Sequence, residues 1–143
     1  MIELLTWLEG SALGQLVRGA GVWSYAVINL AHILGVATLF GSILILDLRL
    51  LGFFGRTRLA DVSHPTVRLA ALGFCIAAAS GICLLATNAT EYRGNPFLLL
   101  KFGAILIGLA NALALNRLTP WRGGVSLACW TTALAAGRML GYW

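Results

Sequence analysis

The chain has 143 residues, 59% of them hydrophobic and only 10% charged, with a mean hydropathy of +0.88. Average soluble domains carry roughly 25% charged residues, so a soluble enzyme is excluded and a polytopic membrane protein is expected. A net charge of +5 would suggest nucleic acid in a soluble chain. Here the basic residues punctuate the ends of apolar stretches, as topology determinants do, and no basic groove with interleaved aromatics accompanies them.

A span needs about 20 residues, so four spans and their connections use up the chain as one membrane domain, 1–143. The first residues lack the basic stretch, compact apolar core and cleavage site of a signal peptide, because Glu3 and Glu9 come early. The first span is therefore expected to drive insertion itself, with nothing removed. Residues 2–20 read as one interfacial amphipathic helix, with Ile2, Leu5, Leu8, Ala12 and Leu16 at helical spacing and Trp7 at headgroup level.

Spans are expected at about 23–52, 66–86, 96–116 and 125–142. The first ends in Asp47-Leu48-Arg49-Leu50-Leu51-Gly52 and a basic loop holding Arg56 and Arg58. His64-Pro65 precedes the second, where proline suits a first helical turn. Asn88, Glu91, Gly94 and Asn95, and then Thr119, Pro120, Gly123 and Gly124, supply turn chemistry between helices. Short loops imply an antiparallel four-helix bundle, and Ala77-Ala78-Ala79-Ser80-Gly81 allows close helix approach. The fold class is thus all-α integral membrane, four spans with an N-terminal interfacial helix.

Orientation follows from counting basic residues. Arg49, Arg56, Arg58, Arg68, Arg117 and Arg122 flank the loops after spans one and three, against Arg18, Arg93, Lys101 and Arg138 on the other side. Both termini are expected on the periplasmic side of a bacterial inner membrane. Cys75, Cys83 and Cys129 lie in apolar stretches without a C-x-x-C spacing and read as packing residues.

Ionisable groups at membrane depth mark functional sites by default, because each costs several kcal/mol unless it faces protein or water. On a helical wheel Tyr25, Asn29, His32 and Asp47 fall within about 60°, one polar stripe expected to face the bundle interior. His32 and Asp47 are about 22 Å apart along the helix, so His32 belongs to the outer half and Asp47 to the cytoplasmic end. Lys101 and Arg138, each about one turn from an outer end, come to the layer of Tyr25, Asn29 and His32. These five form the predicted cofactor-binding cluster, with Glu91 and Arg93 above it and His32 as the metal ligand.

Each residue also has a plainer role. Lys101 and Arg138 can snorkel, His32 can simply bond a neighbour, and Asp47 with Arg49 can anchor the cytoplasmic end through an ion pair to Arg68 or Arg117. His64 suits the cytoplasmic interface or a helix cap, and Asn111 an interhelical hydrogen bond. On antiparallel helices His32 and His64 stand on the order of 20 Å apart, whereas two ligands of one iron each lie about 2 Å from it, so they cannot share a haem. Any haem would use His32 alone or with a non-His ligand such as neutral Lys101.

The run His32-Ile33-Leu34-Gly35, Gly41-Ser42, Asp47 to Gly52, Asn95-Pro96-Phe97 to Lys101, Asn111 and Gly137-Arg138 resembles a family of small four-helix bacterial inner-membrane proteins of unknown function. The likeness covers the chain from about Trp23 onward. The chain is also distantly similar to the membrane domain of copper-resistance protein D and to the membrane-type protoporphyrinogen oxidase, a haem-associated protein whose intramembrane His and Lys map onto His32 and Lys101. In the four-helix family an acidic residue often precedes the histidine by three, where this chain has Asn29, which puts a proton relay there in doubt.

Three functions compete. One is binding of haem b or a quinone for electron transfer, with His32 helped by Lys101, Arg138 and Tyr25, whose cations suit propionates and quinone oxygens. Another is copper handling, weakened because Cu(I) prefers thiolate and thioether ligands and Met139 is the only methionine besides Met1. The last is an accessory subunit of a larger membrane complex or a homo-oligomer, partnered by helices and the lipid bilayer, with no nucleic acid. A stand-alone enzyme is not expected: G-x-S-x-G, H-E-x-x-H and paired carboxylates in one layer are absent from the sequence. A transporter would need more spans or an oligomer.

Overall fold

A computed structural model describes residues 2–53, 55, 58–114 and 119–143. Every regular element among them is helical: α1 (Ile2–Gly10), α2 (Ala12–Gly19), α3 (Gly21–Leu50), α4 (Leu59–Thr87), a 3-10 turn (Ala89–Tyr92), α5 (Pro96–Leu113), α6 (Pro120–Met139) and a closing 3-10 turn (Leu140–Tyr142). Helices α3, α4 and α5 are long and apolar enough to cross a membrane. At 1.5 Å per residue, the 30 residues of α3 reach about 45 Å, beyond the roughly 30 Å hydrocarbon core. Arg56, Arg117 and the expected end of the third span at Asn116 lie outside the described residues.

Local chemistry moves three of the expected boundaries. The single helix expected over 2–20 is two, because Ser11 takes an extended conformation (ψ 160°) and its hydroxyl accepts the Gly14 amide as the N-cap of α2. Helix α4 starts seven residues before position 66 and carries Pro65 inside it. Proline removes only its own donor, and the Thr66 hydroxyl bonds back to the Val62 carbonyl at 2.6 Å as the helix continues. Gly123 and Gly124, expected in a turn, lie inside α6, which begins at Pro120. Proline fits that first turn because its missing amide would have had no partner there.

Elsewhere the expected punctuation holds. Asn95 caps α5 through its side-chain oxygen, which accepts the Phe97 amide at 2.9 Å, with Pro96 following. Gly94 (φ +79°) and Gly21 (φ +83°) adopt left-handed conformations that side chains disfavour, so the chain turns sharply into α5 and into α3.

The chain divides into two compact units. Unit 1 comprises Met1–Leu39 and Ala71–Gly94. Within it α3 and α4 touch backbone to backbone. A Cβ on Gly35 would stand 2.6 Å from the Ala77 nitrogen, and one on Gly73 would stand 2.5 Å from the Leu39 nitrogen. Small residues allow this approach, and dispersion between the touching backbones replaces the hydrophobic drive that lipid cannot supply.

The N-terminal hairpin clasps the end of α4. Arg18 donates to the carbonyls of Ala86 (3.3 Å), Thr87 (3.0 Å) and Glu9 (2.8 Å), supplying partners for carbonyls a helix end leaves open. Glu9 accepts the Thr90 amide at 2.7 Å, and a Cβ on Gly14 would collide with the Glu9 and Ala86 carbonyls at 2.5 and 2.7 Å. Leu5 and Val17 are buried, while Leu4, Trp7 and Leu16 stay exposed.

Unit 2 comprises Phe40–Ala70 and Asn95–Trp143. Trp130 of α6 packs over Gly108 of α5, its indole 3.1 Å from where a Cβ would sit. Asn111 donates to the Arg122 carbonyl at 3.1 Å, the interhelical bond expected of it. Arg122 donates to the Ala114 carbonyl at the end of α5 and lies over the Trp121 ring. Gly123 fits against Asp47 and Leu50 of α3, with a would-be Cβ 3.1 Å from the Asp47 carbonyl.

Gly35→Ala and Gly73→Ala should each cost about 1 to 3 kcal/mol by overpacking. Gly103→Ala, with nothing within 4 Å, should be neutral or slightly stabilising in α5. Thermal denaturation in one detergent measures all three. The Thr90 side-chain and amide hydrogen bonds hold the Glu9 carboxyl below its ordinary range, against a smaller opposing effect of desolvation. A depressed carboxyl stabilises fully above its unfolded value, about 4.3, and that contribution fades as pH falls through the folded value. Protection of the Thr90 amide, corrected for intrinsic exchange, should therefore drop on acidification in the wild type and stay level in Glu9→Gln.

Candidate functional site

His32 lies on the face of α3 that meets α4 in unit 1. Its Nδ1 is 2.9 Å from the Ala77 carbonyl and 3.2 Å from the Ser80 hydroxyl. A carbonyl oxygen only accepts, so Nδ1 carries the hydrogen and donates it. Ser80 in turn donates to the Ile76 carbonyl at 2.5 Å. A bond on one ring nitrogen of this kind is what orients the ring of a ligating histidine. Gly81 makes room for the ring: a Cβ there would be 3.0 Å from Cε1 and 3.3 Å from Nδ1.

The rest of the predicted stripe does not share this seat. Tyr25 is 46% exposed, and Asn29 is also exposed although the stripe was expected to face inward. These residues precede the close crossing at Gly35, where α3 and α4 backbones touch. Tyr25 does interact with Tyr92, whose phenol is pushed up chiefly by burial, with Tyr25 and Glu91 adding to the effect. Glu91 also accepts from the Asn88 side chain. The signal for the seat was present in Ala77, Ser80 and Gly81, but the sequence reading assigned them to packing alone.

Lys101 and Arg138 belong to unit 2. Lys101 is partly buried and lies along α6, its Cε and Nζ each 3.6 Å from a Cβ built on Gly137. Arg138 is exposed, bonds the Tyr142 hydroxyl and holds its guanidinium 4.7 Å from that ring's centre. Of the five predicted residues, three therefore fall in unit 1 and two in unit 2.

Asp47 corrects another expectation. It is 3% exposed, and its Oδ2 has no hydrogen-bond partner. Its carboxyl bonds the Ser126 side chain on α6. The expected ion pair with Arg68 is not made: Arg68 is exposed, and Arg117 lies outside the described residues. His64 is exposed within α4 and does not cap it, since the helix has already begun at Leu59. Among the described residues no three His, Cys, Asp or Glu side chains gather in a metal-binding group. Cys75 is exposed, and Cys83 and Cys129 are partly buried.

No protein-family model, curated protein or solved structure matches the chain. Gly81→Ala should push on the His32 ring and lower stability by about 1 to 2 kcal/mol. In a His32→Ala background the same change should cost much less, a coupling that a double-mutant cycle in detergent reads directly.

Proposed function

We propose that this is a small, multi-pass protein of the bacterial inner membrane that binds a redox cofactor through His32, with haem b first and a quinone second. Four helices cross the membrane as an antiparallel bundle in this reading, α6 being the fourth, with α1 and α2 at the interface and both termini periplasmic. The opposite order of contacts along paired helices supports the bundle: residues 35 and 39 of α3 against 77 and 73 of α4, and 101 and 108 of α5 against 137 and 130 of α6.

The observation that carries the cofactor reading is the bond from Nδ1 of His32 to the Ala77 carbonyl. It orients the ring through Nδ1, as a bond on one ring nitrogen orients a histidine that ligates iron or bonds a quinone. The expected likeness of His32 to the intramembrane histidine of the haem-associated oxidase points the same way. Haem bound there would supply one-electron transfer, tuned by the hydrogen bond on the far side of the ring. His32 alone supplies the ligand, the role expected of it without His64.

The same bond also ties α3 to α4, so the test must separate a ligand from a tie. The optical spectrum and metal content of gently solubilised wild type are compared with His32→Ala and His32→Gln. A Soret band with stoichiometric iron, lost in both variants while their helical content persists, is expected. Metal without a Soret band would mean copper handling, and a colourless, metal-free wild type would mean an accessory packing subunit.

A further inference from the structure

We propose that the end of unit 2 where α5 begins and α6 finishes binds a phosphate anion between Lys101 and Arg138, at the level of the lipid headgroups. This inference rests on unit 2 alone and does not depend on the reading of His32.

The positive charge gathers there from three sources. Helix α5 starts at Pro96, so its positive dipole end lies about one and a half turns from Lys101. Arg138 sits in the last turn of α6, and the pairing of Lys101 with Gly137 brings that turn against α5.

Lys101 is not simply stretched out to water. Its aliphatic stem and ammonium lie along α6 at Gly137, with Cδ, Cε and Nζ 3.8, 3.6 and 3.6 Å from where a Cβ would stand. The negative end of α6 favours a cation at this place, but it does not occupy the three donors of the ammonium. Among the described residues Lys101 makes no hydrogen bond or ion pair. Arg138 gives one contact to the Tyr142 hydroxyl and stacks on its ring, which leaves most of its five donors for another acceptor.

The side-chain carboxylates of the same unit, Asp47 and Asp61, do not answer this charge. Asp47 packs at Gly123, 14 residues and about 21 Å before Gly137 along α6. Asp61 is in the first turn of α4, exposed. The flanking Tyr142 and Trp143, 69% and 64% exposed, are the residues that settle at the membrane interface, where phosphodiester oxygens are most concentrated. Two cations there and an anionic oxygen match in charge, donor number and depth.

Native mass spectrometry of the full chain tests this, in micelles doped with phosphatidylglycerol or phosphatidylcholine, and with inorganic phosphate in phosphatidylcholine alone. Wild type should retain phosphatidylglycerol preferentially. Lys101→Gln and Arg138→Gln should each weaken retention about fivefold, the effect of roughly 1 kcal/mol per cation near an anionic surface. Lys101→Arg should keep the preference. Competition by inorganic phosphate, without any lipid preference, would support the same anion site with a free phosphate as its ligand. Equal retention of both lipids by wild type with no competition by phosphate, or a preference unchanged in folded Lys101→Gln/Arg138→Gln, would overturn the proposal. The wild-type comparison decides even if the variants do not fold.

Discussion

Close backbone contact between α3 and α4 at Gly35 and Gly73 is the constraint on which unit 1 depends. Each glycine lies where even a methyl group would overlap backbone of the other helix, so side chains cannot separate the pair. Lipid gives no hydrophobic reward for association, and helices hold together through dispersion and polar contacts that grow as they approach. The His32 bond to the Ala77 carbonyl follows from that closeness. An imidazole on α3 reaches a carbonyl already engaged in α4 only because Gly81 offers no Cβ and the crossing at Gly35 is tight.

Arginines counted for topology also serve the ends of helices. Arg18 was counted as a charge on the outer side, yet it fills the open carbonyls of α4 at Ala86 and Thr87. Arg122, counted on the opposite side, reaches the Ala114 carbonyl that ends α5. A carbonyl left open near hydrocarbon costs far more than one in water, so a guanidinium, with several donors and a long stem, is suited to closing it while staying near the interface.

Hydropathy and turn chemistry carried the helical class and the boundaries that rest on strong local signals, such as Asn95-Pro96 and the end of α3 near Leu50. They failed where one residue type has two uses. One continuous helix was expected over 2–20, but the Ser11 hydroxyl within it competes for backbone amides and makes a cap. Pro65 read as a starting signal, although a helix with enough flanking turns accommodates the loss of one donor. Gly123 read as a turn residue because helix propensity alone disfavours glycine; its place against Asp47 depends on a neighbour that sequence spacing does not reveal. The polar stripe on α3 was expected to face inward along its length, yet Tyr25 and Asn29 are exposed, because only contacts with another helix decide which part of a stripe is covered.

That distinction separates the polar groups of α3. His32 has both a partner and room prepared for its ring, so its burial is compensated on one side by a carbonyl and a hydroxyl. Asp47 is more deeply buried, yet one of its oxygens has no hydrogen-bond partner. A buried polar group without a bond costs about 1 to 3 kcal/mol. An alanine at 47 would spare the penalty while keeping the contact with Gly123, whose nearest atoms at that residue belong to the backbone. The carboxyl near the end of α3 is thus chemically distinct from the compensated histidine nearer its start.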